Sequence, residues 1–373
     1  MRRFETKILS RFPVLLAALA LLAQCSEGAQ WEYGTIDSSG VGRYSSLKFD
    51  RDGNAHVAYV IDGQNTLKYG FWDHKLKRWF IMVIDGRATH CALALDSKQR
   101  PHISYVDYGS AKEARLRYAY WNGSAWTKKF VPLADGAAFY TSIALDRNDK
   151  PHISFYDYLA PDNEFVLRLR IATWNDTYWE VRTADDQDGS GKFNSLAVDS
   201  AGNPQVAYAN VKDPNQGLRY ARWTGSAWKS EILDAPCYAW SVGIGSDKQG
   251  VPHIAYTDVQ NKLVKYATLD GDKWRVQTIA SLQKAGYPDR NGVAVDSRGN
   301  PYITYHDAGT GSLILLYRDR TNWRAETVDQ SGTGFTSSID IDGDSILISY
   351  ADETNGSLKF ARRTLAQSAS GPK

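Results

Sequence analysis

The chain has 373 residues and a formal net charge of +2 at pH 7. Its 44 basic and 42 acidic side chains are dispersed along the sequence, which excludes the concentrated basic patch of a nucleic-acid-binding protein. With 22 Tyr, 12 Trp and 12 Phe but only 2 Met, the composition favours β-strands, on whose pleated surface aromatic side chains pack well.

The first 29 residues differ from the rest and predict export. Basic residues precede an apolar run at residues 14–23, and small and polar residues follow, which is the layout of a cleavable secretory signal. The run is too short to anchor the protein across a membrane. An alternative is that Cys25 is lipid-modified and anchors the protein as a lipoprotein. Gln24, however, is bulkier than the residue expected before a lipid-modified cysteine. We expect a secreted, periplasmic or cell-surface protein in either case.

From residue 31 onward one unit is repeated seven times. Its most recognisable phrase is PHISYVD at residues 101–107, PHISFYD at 151–157 and PHIAYTD at 252–258. A period in the upper forties with several strand-like segments is typical of propeller blades. The first aspartate of the unit is assigned to Asp50, Asp96, Asp146, Asp199, Asp296 and Asp342, with Gly245 in that position of the fifth unit.

Each unit divides into four short strands. In the fourth unit, residues 195–199 alternate, a Gly/Asn turn follows, and Pro204 opens the second strand, where a missing N–H is tolerated. The seventh unit stops before its fourth strand, and residues 31–37 supply the missing one at the other end of the chain. The sequence predicts an all-β, seven-bladed β-propeller over residues 31–364, closed by this N-terminal strand and followed by a flexible tail at 365–373.

The pattern PHISYxD, LxYA and WxGxxW resembles exported bacterial seven-bladed propellers, loosely grouped with sialidase-like and BNR-type repeat proteins. The resemblance covers about residues 31–362 and implies the fold and export. It departs from true sialidases, because the sequence has no S-x-D-x-G-x-T-W box and no arginine triad. The resemblance therefore implies no activity.

Residues that recur in every unit are interpreted as structural. The histidine of the phrase falls at His56, His102, His152 and His253, on different blades and away from the axis, so we expect a buried hydrogen-bonding role and no metal site. The tryptophan pairs are interpreted as blade core. The aspartates that end the second strands are interpreted as turn residues; they are Asp107, Asp157, Asp258, Asp307 and Asp352.

Function is expected where the blades differ, at the loops around one mouth of the central channel. The segments that enter the first strands each carry an aromatic or histidine residue, which predicts a stacking surface for sugar rings or peptide side chains, with a plain plug of the channel as the alternative. The candidate ligand-binding residues are Tyr44, His90, Tyr140, Phe193, Trp240, Tyr287, Arg290, His306 and Phe335.

The sixth blade departs most from the repeat. Its mouth loop is the longest, and Tyr287 and Arg290 are expected near His306. Arginine to neutralise a uronate and histidine or tyrosine to move a proton are what a polysaccharide lyase needs. If the protein is an enzyme, the candidate catalytic residues are His306, Arg290, Tyr287 and His90.

The leading hypothesis is a recognition propeller that binds a glycan or a partner protein at its mouth face. A carbohydrate-active enzyme, specifically a lyase on acidic glycans, is the alternative, and a purely structural surface protein is a third. No cofactor, metal, nucleic acid or membrane span is predicted, and a monomer is expected. Cys91 and Cys237 fall in units nearly opposite in the ring and are expected to remain thiols.

Overall fold

The computed structural model describes residues 30–109, 114–133, 136–159, 166–284, 286, 291–319, 321–330 and 332–365. The predicted signal at 1–29 and most of the predicted tail lie outside these ranges. Leu365, the first residue assigned to that tail, is buried and donates its N–H to Asp344 O at 2.5 Å, so it belongs to the last blade. None of the described residues forms a helix that is long and apolar enough to cross a membrane.

The described residues form twenty-eight strands in seven antiparallel sheets of four, which confirms the seven-bladed propeller. Blades one to three consist of β2 (Gly42–Phe49), β3 (Ala55–Ile61), β4 (Thr66–Asp73) and β5 (Arg78–Asp85); β6 (Ala88–Leu95), β7 (Pro101–Asp107), β8 (Arg115–Trp121) and β9 (Trp126–Phe130); and β10 (Ala137–Leu145), β11 (Pro151–Leu159), β12 (Val166–Trp174) and β13 (Trp179–Asp185). Blades four and five consist of β14 (Ser190–Val198), β15 (Pro204–Asn210), β16 (Leu218–Trp223) and β17 (Trp228–Asp234); and β18 (Ala239–Ser246), β19 (Pro252–Asp258), β20 (Leu263–Asp270) and β21 (Lys273–Ser281).

The last two blades complete the ring. Blade six consists of β22 (Gly292–Val295), β23 (Pro301–Asp307), β24 (Ser312–Asp319) and β25 (Asn322–Asp329). Blade seven consists of β26 (Thr333–Asp342), β27 (Ser345–Asp352), β28 (Ser357–Thr364) and β1 (Glu32–Asp37), in the order β1-β28-β27-β26. The N-terminal strand thus closes the last blade, as predicted, with Tyr33 opposite Ala361. The first strands of neighbouring blades contact each other all the way around the axis.

One assignment of the repeat is wrong. Asp247, and not Gly245, occupies the first-aspartate position of the fifth unit. Its carboxylate accepts from Gln249 N at 2.9 Å and from Val251 N at 2.8 Å, which is the turn geometry that Asp96 makes with Lys98 and Arg100. Gly245 instead pairs with His253 inside the sheet.

The repeated histidines are buried hydrogen-bonding groups, which confirms the structural interpretation. Nδ1 lies 2.6 Å from Tyr69 Oη in His56, 2.5 Å from Tyr118 Oη in His102 and 2.6 Å from Tyr266 Oη in His253, whereas His152 meets Thr173 Oγ1 at 2.9 Å. Burial lowers the pKa of His102, His152 and His253, so these three rings are neutral at neutral pH.

His102→Ala is expected to lower stability without changing the affinity for any mouth-face ligand. The substitution leaves the buried Tyr118 hydroxyl without its partner, at a cost of roughly 1–3 kcal/mol in the free energy of unfolding. Urea unfolding measures the loss. A variant of unchanged stability that had lost ligand binding would contradict the structural role.

The second-strand aspartates also have structural partners. Asp258 accepts from the backbone and side-chain amides of Asn261, and Asp352 does the same with Asn355. Asp157 accepts from Arg168 and Arg170. The turn interpretation is therefore confirmed for Asp258 and Asp352, whereas Asp157 forms ion pairs with Arg168 and Arg170.

A three-residue contact that the sequence reading missed joins neighbouring blades. The aspartate that ends the outer strand of one blade accepts from a second-strand tyrosine and lies beside a third-strand Lys or Arg of the next. This blade-junction triad occurs as Asp37–Tyr59–Lys68, Asp85–Tyr105–Arg117, Asp185–Tyr208–Arg219, Asp234–Tyr256–Lys265 and Asp329–Tyr350–Lys359. Burial alone would raise the pKa of Asp37, but hydrogen bonds from Lys68, Tyr59 and Ser39 outweigh it and hold that pKa at about 2.

The two cysteines among the described residues, Cys91 and Cys237, are thiols, as predicted. Cys91 Sγ donates to Tyr44 O at 3.2 Å and Cys237 Sγ to Asp234 O at 3.3 Å. Both are buried, and burial raises the pKa of Cys237 to about 12, so this thiol is unreactive at neutral pH.

Candidate functional site

Among the described residues, the first strands of five blades each carry, at the mouth end, a β-bulge that contains a non-glycine residue of positive φ. The register shifts there, and the bulged residues adopt φ between 46° and 55°. They are Tyr44, His90, Tyr140, Phe193 and Ser241. Residues with bulky side chains rarely adopt this left-handed backbone, which costs about 1–2 kcal/mol each. A bulge re-aims its side chain, and here it brings four rings together around the axis.

Five rings form a continuous aromatic arc, defined as Tyr44, His90, Tyr140, Phe193 and Trp240. The ring centroids along the arc are 4.3 Å apart for Tyr44–His90, 4.5 Å for His90–Tyr140, 5.0 Å for Tyr140–Phe193 and 4.5 Å for Phe193–Trp240. These are contact distances for tilted and edge-to-face aromatic pairs. The arc spans five consecutive blades, which the sequence could not show.

Four rings of the arc line a small cavity at the mouth of the channel. The space between Tyr44, His90, Tyr140, Phe193 and Thr336 is about 20 Å³, enough for roughly one water molecule. Phe193, which is 2% exposed, supports its neighbours from within. Tyr44, His90, Tyr140 and Trp240 are half-buried, so each keeps part of its surface on the mouth face. The rings are thus part buried and part exposed, which is compatible with both a channel plug and a stacking surface, and each role stays a prediction.

Two cations lie among these rings. The Lys192 ammonium is 4.9 Å from the centroid of Phe193, 5.0 Å from that of Trp240 and 5.7 Å from that of Tyr140. Such geometry is attractive because the ring faces carry partial negative charge. Arg43, on the other side of the mouth, lies 5.0 Å from the Phe335 ring.

A larger pocket opens beside the arc, between the first two blades. Its volume is about 290 Å³, near the lower end for small-molecule sites. We call it the mouth pocket; it is lined by Arg43, Tyr44, Val60, Asp62, Asn65, Thr89, His90, Tyr108 and Phe139. It combines three aromatic rings with carboxylate, amide, hydroxyl and imidazole groups.

The charge of Arg43 is already balanced inside the protein. Its Nε donates to Asp62 at 2.7 Å, and its Nη2 donates to Glu353 of the seventh blade at 2.9 Å. Two carboxylates on one guanidinium leave this wall of the mouth pocket with a net negative charge. The wall thus favours hydroxyl groups over a ligand carboxylate.

Comparisons with known proteins establish the fold. No known family model matches the chain, and no curated protein matches it. An ulvan lyase of a polysaccharide lyase family, bound to -[GlcA(1-4)Rha3S]-, superimposes with a TM-score of 0.60 at 13% identity, covering 89% of this chain and 95% of its own.

Two further propellers have other functions. An oligogalacturonate lyase from Vibrio parahaemolyticus gives a TM-score of 0.59 at 9% identity, covering 90% of this chain and 96% of its own. The Aleuria aurantia lectin in complex with Fucalpha1-6GlcNAc gives 0.51 at 12% identity, covering 78% and 96%. At such identities these likenesses show the propeller fold alone.

The sixth blade is described only in part. Tyr287 and Arg290 lie outside the described residues, so their predicted role stays a prediction. His306 packs against Phe335 with ring centroids 5.9 Å apart, and its Nδ1 has no hydrogen-bond partner among the described residues. Burial lowers the pKa of His306, and the charge of Asp307 opposes that shift only in part. The ring is therefore neutral at neutral pH.

The second blade has an arginine and a histidine near the mouth, Arg87 and His90. Arg87 lies at the surface, 3.7 Å from Asp107, and His90 packs between the rings of the arc with Nδ1 3.1 Å from Thr89 Oγ1. The residues that sequence reading missed at the mouth are Arg43 and Lys192. Each directly precedes a bulged aromatic residue, which is the signal that could have found them.

Proposed function

We propose that the protein binds a glycan at its mouth face, with one or two sugar units in the mouth pocket and others across the outer surface of the aromatic arc. The observation that carries this proposal is the pocket of about 290 Å³ that joins Tyr44, Tyr108 and Phe139 to Asp62, Asn65 and Thr89. Sugar C–H faces pack on aromatic rings, and sugar hydroxyls bind carboxylates and amides. The other propellers that bind or cleave saccharides make this use of the fold a familiar one.

Tyr108→Ala is expected to weaken glycan binding at least tenfold, which corresponds to about 1.4 kcal/mol. Tyr108 is 39% exposed and forms the outer wall of the pocket, so its removal deletes stacking surface without opening the core. A glycan array on the purified protein identifies the ligand, and calorimetry measures the affinity of both proteins.

The matched control is Tyr178→Ala, at the turn between β12 and β13 on the opposite face, where the side chain is 59% exposed. This variant should bind the glycan as the unchanged protein does. Equal affinity of the Tyr108→Ala variant and the unchanged protein would remove the mouth pocket from the site.

The blade-six residues form a separate part of the proposal, directed at acidic glycans. Arg290 would hold a carboxylate through two parallel hydrogen bonds, and Tyr287 would stack on the sugar ring. Arg290→Ala should then weaken binding of a uronate-containing glycan, whereas Arg290→Lys restores the charge but not the paired hydrogen bonds. Unchanged affinity in both Arg290→Ala and Tyr287→Ala would exclude blade six.

A lyase acting on an acidic glycan is the second candidate, because Arg43, Tyr44 and His90 line one pocket. In such a reaction a base removes the C5 proton next to the uronate carboxyl, the electrons of that C–H bond form a C4–C5 double bond, and the C4–O bond breaks as its departing oxygen takes up a proton. The two carboxylates already bound to Arg43 count against it. The unsaturated product absorbs in the ultraviolet, so incubation with polyuronates tests the activity directly. His90→Ala, or His306→Ala for blade six, should then abolish turnover while binding persists.

A further inference from the structure

A groove lies between blades three and four, on the face opposite the mouth. Most of the other blade junctions share an aromatic contact that is missing at this one. At those junctions an outer-strand tryptophan packs against an aromatic third-strand residue of the preceding blade, edge-on in four of the five and tilted in the fifth. The centroid distances are 5.1 Å for Tyr69–Trp126, 5.3 Å for Tyr118–Trp179, 4.8 Å for Tyr220–Trp274, 5.1 Å for Tyr266–Trp323 and 6.1 Å for Phe360–Trp79.

At the junction of blades three and four the third-strand position holds Ile171, which pairs with Ser154 just as Tyr118 pairs with Ser104. A pocket of about 190 Å³ lies where the ring is absent, and Ile171 and Trp228 both line it. In the part of the chain that the structure describes, one other junction lacks that ring, between blades six and seven, and there the Arg363 guanidinium lies 4.5 Å from the Trp31 ring.

Among the described residues the indole N–H of Trp228 has no acceptor, as is also the case for Trp79, Trp126 and Trp179, whereas two other junctions supply one. Glu231 accepts from Trp274 Nε1 at 3.1 Å, and Glu326 accepts from Trp31 Nε1 at 2.6 Å, each from the preceding blade. The corresponding residue of the third blade is Arg182, whose guanidinium has no atom that can accept a hydrogen bond. No described residue accepts from Trp228 Nε1.

Arg182 instead forms one rim of the groove. Its guanidinium lies 4.9 Å from the Trp223 ring and donates to Glu180 at 2.7 Å. The two side chains are about half exposed and together carry no net charge. The rim thus offers carboxylate acceptors beside guanidinium donors, the two kinds of partner that sugar hydroxyl groups can use.

The floor of the groove has polar side chains, and one of them is small. Thr173 occupies a position held by Tyr120 in blade two and Tyr317 in blade six, which widens the space. His152, 7% exposed, lines the groove, and its Nε2 has no hydrogen-bond partner among the described residues.

We propose that this groove binds a single pyranose ring of a neutral sugar, as a second carbohydrate site independent of the mouth face. The volume fits one ring, Trp223 and Trp228 provide the apolar wall, and Glu180, Arg182 and the Trp228 N–H provide the polar partners. The absence of net charge at the rim favours a neutral sugar over a uronate. The site shares no residue with the mouth pocket, so it can exist whether or not the mouth binds a glycan.

The test uses ligand-observed NMR and calorimetry with methyl glycosides of glucose, galactose, mannose and fucose, and with methyl glucuronoside. At least one neutral glycoside is expected to bind with roughly millimolar affinity or better, and the glucuronoside more weakly. Absence of binding by all four neutral glycosides at that level would overturn the proposal.

Ile171→Tyr restores the repeat's own ring, which fills the groove and offers His152 a tyrosine hydroxyl, the partner of the other three histidines, in place of Thr173. It should weaken binding at least tenfold while the melting temperature is kept or raised. Arg182→Gln is the second variant if Ile171→Tyr fails to fold, and it should also weaken binding. Wild-type affinity in a folded Ile171→Tyr variant would show that the sugar binds elsewhere.

Two controls separate this site from the mouth. Lys129→Gln changes the corresponding cation of the preceding blade, whose junction already contains Tyr118, and it should leave affinity unchanged. Tyr108→Ala should also leave the monosaccharide affinity unchanged. If Tyr108→Ala instead abolishes that affinity, the neutral sugar is a mouth-pocket ligand and the groove proposal is wrong.

Discussion

A chain that lacks residues 31–37 is expected to lose roughly 5 kcal/mol or more of its free energy of unfolding, and about 10 °C or more of its melting temperature. The deleted segment contains β1, whose Ile36 is buried among Leu47, Tyr59 and Leu358 of the first and last blades. It also contains Asp37, which accepts from Tyr59 at 2.7 Å and from Lys68 at 2.9 Å. The deletion therefore removes both the apolar and the ionic contact that close the ring.

The matched control is a chain that begins at residue 30 and keeps β1. A peptide of residues 30–38, added to the shortened chain, should raise its melting temperature in a concentration-dependent way, because the peptide binds only the folded ring. Calorimetry measures both effects. A shortened chain that melts with the control chain would show that blade seven is stable with three strands.

The blades could be predicted from sequence because each unit repeats the same local rules. Pro101, Pro151, Pro204, Pro252 and Pro301 each begin a second strand, and the aspartate before each turn fixes the hairpin. The closure followed from the missing last strand of the seventh unit. These features depend on residues close together in sequence, and they leave little choice of architecture.

The error at Gly245 has a physical cause. The side chains of a strand alternate with a period of two, so shifting the fifth unit by two residues keeps every side chain on the same face. The alternation therefore fits Gly245 and Asp247 equally well. Only the hydrogen bonds of the turn distinguish them, and Asp247 makes those bonds.

The sequence predicted which residues lie at the candidate site, but it did not predict how their side chains are arranged. Tyr44, His90 and Tyr140 were singled out as mouth residues, yet their contacts depend on a left-handed backbone at each bulge, which no local pattern requires of a tyrosine. The ion pair of Arg43 with Glu353 joins residues 310 positions apart. Contacts between blades arise from ring closure, so a reading of one unit at a time misses them.

Asp185→Ala is expected to be the most destabilising single substitution among the blade-junction triads, at about 3–5 kcal/mol. Asp185 accepts from Tyr208 Oη at 2.6 Å and from Arg219 Nε at 2.6 Å, and the side chains of Asp185 and Arg219 are 3% and 9% exposed. Removing the carboxylate leaves a buried guanidinium without its charge partner, and desolvation makes such a charge costly. Urea unfolding followed by tryptophan fluorescence measures the loss.

Two comparisons separate the buried charge from the other contributions of this triad. Tyr208→Phe removes only a hydroxyl, as blade three does naturally with Phe155, and should cost roughly 0.5–1.5 kcal/mol. Adding Arg219→Met to Asp185→Ala removes the unpaired cation and should recover part of the lost stability, because an apolar side chain of similar length can replace a buried ion pair. A double variant less stable than Asp185→Ala alone would show that Arg219 stabilises the junction by packing and by its bond to Gln216, and not through Asp185.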